Sequence, residues 1–230
     1  GITQTSMDPE LTLPLDQAYQ LMLERHGHQG WWPADTDFEM CVGAILTQNT
    51  SWTQVEKALS ELKQQNCLTP HALHEVGPET LAEWIRTAGY FRLKTQRLKA
   101  FVGVLVDEYE GEVSCLMAGE SSQVRLRLLN IHGIGPETAD SMMLYAGGHA
   151  IFVVDAYTRR IFSRHGWCHH QAPYHTLQEI CQNGIQAWQS SSESQVEGWR
   201  DYHAQLVQIG KDFCRPRTPK CDLCPLQSLL

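Results

Sequence analysis

The sequence predicts an all-α fold. Apolar residues recur at helical spacing in most segments, as they do from Leu15 to Arg25, and sustained strand-like alternation is nearly absent. Capping residues and glycine-containing breaks separate these segments. The 230 residues are enough for one large domain or for two lobes with a cleft between them. Because a mean helix has about 11–12 residues, we expect on the order of ten helices.

The helices are predicted in the following order. A first helix covers Leu15–Arg25, a loop covers 27–36, and Asp37 caps a buried helix over Phe38–Leu46. The serine-rich run at 189–194 is predicted to be an exposed loop. The other predicted helices cover Val55–Leu62, Leu81–Ala88, Lys94–Glu108, Val124–Leu129, a segment from Pro136 onward, Ala156–His165, Tyr174–Gln189 and Arg200–Lys211.

The composition indicates a globular cytoplasmic protein. Hydrophobic residues make up 42% and charged residues 19%, which excludes the disordered class. No apolar stretch is long enough for a membrane helix. The segment Gly1–Ser6 lacks the basic and apolar parts of a signal peptide, so we expect Met7 to be the natural start and the protein not to be secreted. The net charge of −8 opposes general attraction to nucleic acid, so phosphate contact would need local positive charge.

The cysteines also favour a reducing compartment. Five of the eight are scattered, and the last three lie within eleven residues at the end of the chain. A secreted disulfide scaffold would be shorter and more evenly cross-linked, so we expect a terminal metal site instead.

A glycine turn lies between two predicted helices. Gly133 and Gly135 are two residues apart, and Pro136 suits the first turn of the helix that follows. Backbone N–H groups without neighbouring side chains can approach a phosphate oxygen, and a helix N-terminus adds partial positive charge. An ordinary turn between two helices explains the pattern equally well.

A single acid, Asp155, follows the apolar run Ile151–Val154 where a helix begins. Taken alone, an aspartate in this place is most simply an N-cap. It gains weight as a catalytic candidate because it lies eighteen residues after Glu137, one helix downstream of the glycine turn.

Together these features resemble the helix-hairpin-helix DNA glycosylase superfamily, and the endonuclease III family in particular. Two further segments match in the right order: Leu46–Thr50, with the sequence Leu-Thr-Gln-Asn-Thr, and Gly89–Lys94. The similarity covers Leu15 to Cys224. It implies a two-lobed fold with a C-terminal cysteine-bearing loop, in which 1–36 pack with the C-terminal lobe 151–230 and 37–150 form the lobe with the hairpin.

The resemblance implies binding of double-stranded DNA by a monomer, with the damaged base flipped out of the duplex. In a bacterium or archaeon such a protein would be associated with the nucleoid. Gln48 corresponds to the residue that enters the duplex. The full set of implied DNA-binding residues is Gln48, Asn49, Gly133, Ile134, Gly135 and Thr138.

One departure from the family determines the expected reaction. Bifunctional members place a nucleophilic lysine two residues after the second hairpin glycine, where this chain has Glu137. A carboxylate cannot form the Schiff base that leads to strand cleavage. The resemblance therefore implies base excision without lyase activity, with Asp155 activating a water or stabilising the cationic sugar. A displaced lysine such as Lys94 is the alternative.

The pair Trp31-Trp32 with Pro33 resembles the 3-methyladenine DNA glycosylase branch of this family, as does Glu137 in the hairpin. Indole rings would stack on an electron-poor alkylated purine with a cation–π gain of roughly 0.5–2 kcal/mol. Lys211 falls on a segment that borders the pocket in that branch, although a solvated lysine at a helix end is an equally good interpretation. Two other functions remain open: a uracil or thymine mismatch glycosylase, and a lesion-binding module without catalysis.

The terminal cysteines, Cys214, Cys221 and Cys224, match three of the four positions of the family's [4Fe–4S] motif, Cys-x6-Cys-x2-Cys-x5-Cys. The fourth position is Leu230. The segment Cys168-His169-His170 offers substitute ligands, zinc is an alternative metal, and loss of the site is a third possibility. His203 is predicted to be structural and His165 to face solvent.

Overall fold

The computed structural model describes residues 12–31 and 34–230, so Trp32 and Pro33 lie outside the described residues. Within these ranges the chain contains twelve α-helices, three short 3-10 helices and no β-strand, which confirms the predicted all-α class. The α-helices are α1 Leu15–His26, α2 Asp37–Leu46, α3 Trp52–Gln64, α4 Pro70–Glu75, α5 Pro78–Trp84, α6 Phe91–Tyr109, α7 Val113–Leu116, α8 Ser121–Leu129, α9 Pro136–Tyr145, α10 Ala156–Arg164, α11 Tyr174–Gly184 and α12 Ser192–Asp212. No helix in the described ranges is both long and apolar enough to cross a membrane.

The chain divides into two compact units. The first unit comprises Gly1–Gln29, Val154–Gln189 and Asp201–Leu230, and the second comprises Gly30–Val153 and Ser190–Arg200.

The core of the second unit is built around α2, whose residues from Phe38 to Leu46 are all buried. The helix packs against α3, α6 and α9. Thr36, rather than Asp37, caps it: the Thr36 side chain accepts a hydrogen bond from the N–H of Glu39 at 3.0 Å, and the Glu39 carboxylate accepts one from the N–H of Asp35. Asp37 is the first helical residue, where its charge favours the helix dipole.

The first unit is held together by buried polar contacts as well as apolar packing. The hydroxyl of Tyr202, a fully buried residue, donates to the Leu15 carbonyl at 2.8 Å, and the hydroxyl of Tyr19 donates to Asp201 at 2.6 Å. Helices α10 and α12 approach closely at Gly210, where an added Cβ would lie 2.2 Å from Cδ1 of Tyr157. A glycine is therefore required at this point of α12.

The prediction of an exposed loop through residue 194 is wrong at its end. Helix α12 already begins at Ser192. The Ser191 hydroxyl oxygen accepts a hydrogen bond from the N–H of Ser194 at 3.1 Å, which is the pattern of a serine N-cap. The serines that suggest a loop therefore also supply the signal that starts a helix.

Candidate active site

The predicted hairpin is formed by α8 and α9 in the second unit. Gly133 has a φ of +85°, in the left-handed region, and an added Cβ would lie 2.2 Å from Cγ of Arg97. Gly135 is the N-cap of α9 with a φ of −92°, and an added Cβ would meet no described atom within 4 Å. Ile134 is buried, and its N–H donates to the Ile131 carbonyl at 3.2 Å. Of these two glycines, only Gly133 has a backbone conformation that disfavours other residues.

An ion pair with a fully buried carboxylate joins the two hairpin helices. Arg125 on α8 donates from Nε to Oδ1 of Asp140 at 2.8 Å and from the guanidinium to Oδ2 at 3.1 Å. The Asp140 side chain on α9 is fully buried. This bidentate pair therefore links the two helices that flank the turn.

The early motif and the hairpin meet at Gln48. Its side-chain N–H group donates to the Gly133 carbonyl at 3.1 Å and to the Thr138 hydroxyl at 2.9 Å. Its amide oxygen accepts a hydrogen bond from Arg97. Asn49 is exposed beside it with a φ of +54°, a conformation that asparagine tolerates well. The structure therefore brings Gln48, Thr138 and the hairpin together and adds Arg97, which the sequence analysis missed.

Asp155, in the first unit, uses its two carboxylate oxygens differently. Oδ1 accepts hydrogen bonds from the N–H of Thr158 at 2.8 Å and from its hydroxyl at 3.1 Å, so the residue does cap α10. Oδ2 lies 2.8 Å from Nε2 of His203 on α12. The side chains of Asp155 and His203 are only 10% and 9% exposed. Capping explains one oxygen, and the other belongs to a buried aspartate–histidine pair.

This environment keeps Asp155 ionised. Burial by itself would raise the pKa of Asp155, but the charge and hydrogen bond of His203 and the two hydrogen bonds from Thr158 outweigh it, so the pKa lies below its ordinary value. An ionised carboxylate can only accept hydrogen bonds, so Nε2 of His203 is the donor. His203 was predicted to be structural, and its side chain contacts the candidate catalytic group.

The predicted base-pocket residues differ in their surroundings. Trp31 packs edge-on against Tyr145, with ring centroids 5.2 Å apart, and against Trp52 at 6.0 Å. Glu137 is exposed in the first turn of α9, and Lys211 is exposed in the last turn of α12. Trp31 and Glu137 belong to the second unit, and Lys211 belongs to the first.

Lys94 is buried in the second unit. Its side chain is among the fully buried ones, and Nζ donates to the Ala88 carbonyl at 2.8 Å. Burial, together with the positive charge of Arg97, lowers the pKa of Lys94 to about 8. A lowered pKa suits a nucleophilic amine, but an amine enclosed by protein and bound to a carbonyl cannot reach a sugar.

The three terminal cysteines of the first unit line one cavity together with His165, Arg164 and Leu230. A guanidinium N–H of Arg164 donates to Sγ of Cys214 at 3.4 Å. Burial raises the pKa of the Cys224 thiol, and the neighbouring Cys214 and Cys221 raise it further. Cys214 and Cys221 therefore lie close enough to Cys224 to affect the pKa of its thiol.

Arginines of α10 hold the backbone around this cavity. Arg164 donates to the carbonyls of Arg215 at 2.6 Å and Pro216 at 3.0 Å, and Arg160 donates to the carbonyls of Cys214 at 2.6 Å and Gly210 at 3.1 Å. In the described ranges, no three His, Cys, Asp or Glu side chains converge closely enough to hold a single metal ion. The donor set fits three positions of an iron–sulfur cluster, whose ligands surround a larger body, and Leu230 cannot supply the fourth.

The prediction for the nearby histidines needs correction. His165 does not simply face solvent: it is half-buried, and Nδ1 lies 3.3 Å from the Leu229 carbonyl oxygen. The substitute ligands suggested by the sequence are Cys168, His169 and His170. None of these three is among the described residues that line the cavity.

Comparison with known proteins gives a consistent family. A sequence profile described as "HhH-GPD superfamily base excision DNA repair protein" matches residues 42–187. A protein of Methanocaldococcus jannaschii, named as a candidate DNA repair glycosylase, is 40% identical over 210 residues, which cover 91% of this chain and 92% of that protein. Endonuclease III of Thermotoga maritima is 26% identical over 198 residues, which cover 84% of this chain and 83% of the enzyme.

Solved structures agree on the fold. The chain matches endonuclease III in a non-covalent DNA complex with a TM-score of 0.77 and 24% identity, over 93% of this chain and 92% of that one. It matches the Helicobacter pylori 3-methyladenine DNA glycosylase bound to 1,N6-ethenoadenine with a TM-score of 0.72 and 26% identity, over 86% of this chain and 97% of that one.

Proposed function

Because the chain belongs to the HhH-GPD superfamily of base excision DNA repair proteins, a family of DNA glycosylases, we propose that it excises alkylated purines such as 3-methyladenine from double-stranded DNA without cleaving the strand. The observation that carries this proposal is the buried, ionised Asp155 paired with His203. A lesion-binding module would gain nothing from a carboxylate placed near phosphates.

Asp155 is the proposed catalytic carboxylate. An alkylated purine is already a good leaving group, so the main requirement is stabilisation of the positive charge that develops on the sugar as the glycosidic bond breaks. A carboxylate with a lowered pKa carries a negative charge at neutral pH and can therefore stabilise this positive charge. It can also orient the attacking water. His203 is the proposed positioning residue, because its hydrogen bond fixes one carboxylate oxygen and helps to keep the group ionised.

Hydrolysis without lyase chemistry is supported by the surroundings of two residues. The position after the hairpin that carries a lysine in bifunctional relatives is Glu137 here. Lys94, the candidate for a displaced nucleophile, is enclosed and its amine is bound to the Ala88 carbonyl. Neither side chain can form a Schiff base with the sugar of a bound abasic site.

The preference for alkylated purines is supported by an aromatic cluster in the second unit and by one relative. Trp31 is anchored by Tyr145 and Trp52, so an indole held in this way could stack on a cationic base. Similarity to the Helicobacter pylori 3-methyladenine DNA glycosylase extends over 86% of this chain. The residues proposed from the sequence to recognise the base are the following: Trp31, Trp32, Pro33, Glu137 and Lys211.

DNA binding is proposed for the hairpin and the early motif. The backbone of Gly133, Ile134 and Gly135 would face phosphate at the N-terminus of α9, where the helix dipole favours negative charge. Gln48 would fill the gap left by the flipped base, which requires it to leave its contacts with the hairpin. Asn49 is exposed beside it, while Thr138 would act through Gln48. We propose that the protein acts as a monomer.

Cys214, Cys221 and Cys224 would hold the proposed [4Fe–4S] cluster. The cluster would act structurally, by keeping the C-terminal loop folded. That loop carries three cations able to meet phosphate: Arg215, Arg217 and Lys220.

The substrate class can be tested by release of free bases. We expect the purified protein to release 3-methyladenine from methylated duplex DNA, and to release uracil or thymine from mismatched duplexes at least about tenfold more slowly, as a difference of about 1.4 kcal/mol in the barrier would require. Chromatography of the released bases under single-turnover conditions measures both. Preferred release of thymine or uracil would reassign the enzyme as a mismatch glycosylase. Lesion binding with no base release would make it a binding module.

The absence of lyase activity can be tested by borohydride trapping on an abasic duplex. We expect no covalent adduct, with endonuclease III as the positive control, because Glu137 replaces the nucleophile and Lys94 is buried. A trapped adduct that disappears in Lys94→Ala would show that the enzyme is bifunctional after all.

Replacement of His203 should change the pH dependence of base release. In His203→Ala, burial would dominate and raise the pKa of Asp155, so the acidic limb of the rate profile should move to higher pH. The rate at neutral pH should fall about tenfold or more, since positioned proton-transfer and charged groups contribute about 10²–10⁴-fold. His203→Gln keeps an N–H donor and should recover part of the loss. A lower rate with an unmoved acidic limb would mean that His203 only supports the fold.

A further inference from the structure

The C-terminal loop supplies only three of the four cysteine ligands of the family's cluster motif. Cys214, Cys221 and Cys224 line one cavity, and the position that follows them in the family's spacing is Leu230. Leu230 also lines that cavity, the residue is 65% exposed, and its side chain offers no donor atom. A fourth protein ligand would therefore have to come from another part of the chain.

His165 lines the same cavity as Leu230, which occupies the position of the missing cysteine. It is the C-cap of α10 and lines the same cavity as the three thiols. Its Nδ1 lies 3.3 Å from the carbonyl oxygen of Leu229, the residue immediately before the position of the missing cysteine. The ring packs on Trp167, with centroids 4.5 Å apart and an interplanar angle of 30°, so its orientation is restrained.

The hydrogen bond to Leu229 also selects the form of the imidazole. A carbonyl oxygen only accepts, so Nδ1 carries the proton and donates, and Nε2 is left with its lone pair. Histidines that bind metal commonly have this arrangement, with the non-ligating nitrogen donating to a backbone carbonyl. The arrangement prepares Nε2 of His165 to bind a metal.

We propose that His165 is the fourth protein ligand of a [4Fe–4S] cluster held by Cys214, Cys221 and Cys224. This inference rests on the cofactor part of the proposed function and not on the glycosylase reaction. The four donors surround a cavity and do not converge to the spacing of a single ion. That arrangement favours a cluster, which has an iron at each corner, over a mononuclear zinc site.

The rest of the cavity is suited to such a group. Ile161, Ile209 and Phe213 give it apolar walls, which limit access of water. A guanidinium N–H of Arg164 donates to Sγ of Cys214 at 3.4 Å, which restrains this sulfur beside the cavity. The rings of His169 and His170 contact each other in a tilted arrangement, with centroids 4.4 Å apart, and these residues are not among the described residues that line the cavity.

The test is metal content. Wild type and variants are purified without oxygen and reconstituted with iron and sulfide, and iron, labile sulfide and the visible spectrum are measured per chain. His165→Ala should weaken cluster binding by about 10–100-fold or more, as even loss of an outer-shell partner does. His169→Ala is the matched control and should load like wild type. The double variant His165→Ala, Leu230→Cys should recover the iron content by restoring the fourth thiolate at the family position.

A second measurement reports the ligand directly. Protein labelled with ¹⁵N-histidine should show nitrogen coupling to the paramagnetic cluster in pulsed electron resonance, and His165→Cys should load without that coupling. Equal iron content and an unchanged spectrum in His165→Ala would overturn the assignment, and so would wild type that binds only zinc or no metal. Base release from methylated DNA, measured on the same preparations, shows whether the glycosylase proposal fails independently.

Discussion

Asp155→Asn is expected to slow base release by about 10²–10⁴-fold, the range attributed to a positioned acid–base group. The variant loses the negative charge that would stabilise the sugar cation, and it cannot accept a proton from water. Binding to damaged DNA should hold or tighten, because a charge that repels phosphate is removed. Single-turnover release from methylated duplex and fluorescence anisotropy at a fixed salt concentration measure the two effects.

The choice of asparagine separates catalysis from helix capping. Asp155 caps α10 through the N–H of Thr158, and asparagine is among the best N-cap residues, so this contact should survive. The melting temperature of Asp155→Asn should therefore stay close to that of wild type. Asp155→Ala removes the cap as well and should lose about 1 kcal/mol of stability.

Near-normal turnover by Asp155→Asn would reduce Asp155 to a helix cap. The proposed mechanism would then have no carboxylate, and the enzymatic assignment of this residue would have to be withdrawn. Loss of activity only in Asp155→Ala, together with a lower melting temperature, would lead to the same conclusion.

Gly133→Ala is expected to damage the hairpin and Gly135→Ala to spare its fold. At position 133, a side chain in the left-handed region costs about 1–2 kcal/mol. The added Cβ would also lie 2.2 Å from Cγ of Arg97, the residue that binds the Gln48 amide oxygen. The displacement should therefore reach Gln48. Chemical denaturation should show the loss of stability, and affinity for duplex DNA should fall as well.

Gly135→Ala is the matched control for stability and the sharper test of phosphate binding. Its φ of −92° suits alanine, and no described atom lies within 4 Å of an added Cβ. The free energy of unfolding should be unchanged. If the backbone N–H groups of the hairpin approach a phosphate, the new methyl group should reduce DNA affinity about tenfold, or about 1.4 kcal/mol. Wild-type affinity in this variant would mean that the hairpin is an ordinary turn.

What the sequence by itself determined were features that depend on near neighbours. Helical spacing predicted the all-α class, and the glycine pair with Pro136 predicted the turn between α8 and α9. Glu137 in place of a lysine is also a property of one position, and it is the basis for proposing a reaction without strand cleavage. Even local rules competed with one another: Thr36 caps α2 where Asp37 was expected, and Ser191 caps α12 within a run predicted as a loop.

Only the tertiary structure decided which distant side chains meet. His203 lies 48 positions from Asp155, Arg97 lies 49 positions from Gln48, and His165 lies 64 positions from Leu229. Each pairing depends on the angle and offset at which two helices, or a helix and a loop, pack. Packing depends on the shape of the whole core, and no short pattern in the sequence records it. For this reason, the sequence could nominate Asp155 as the candidate catalytic carboxylate but could not identify His203 as its partner.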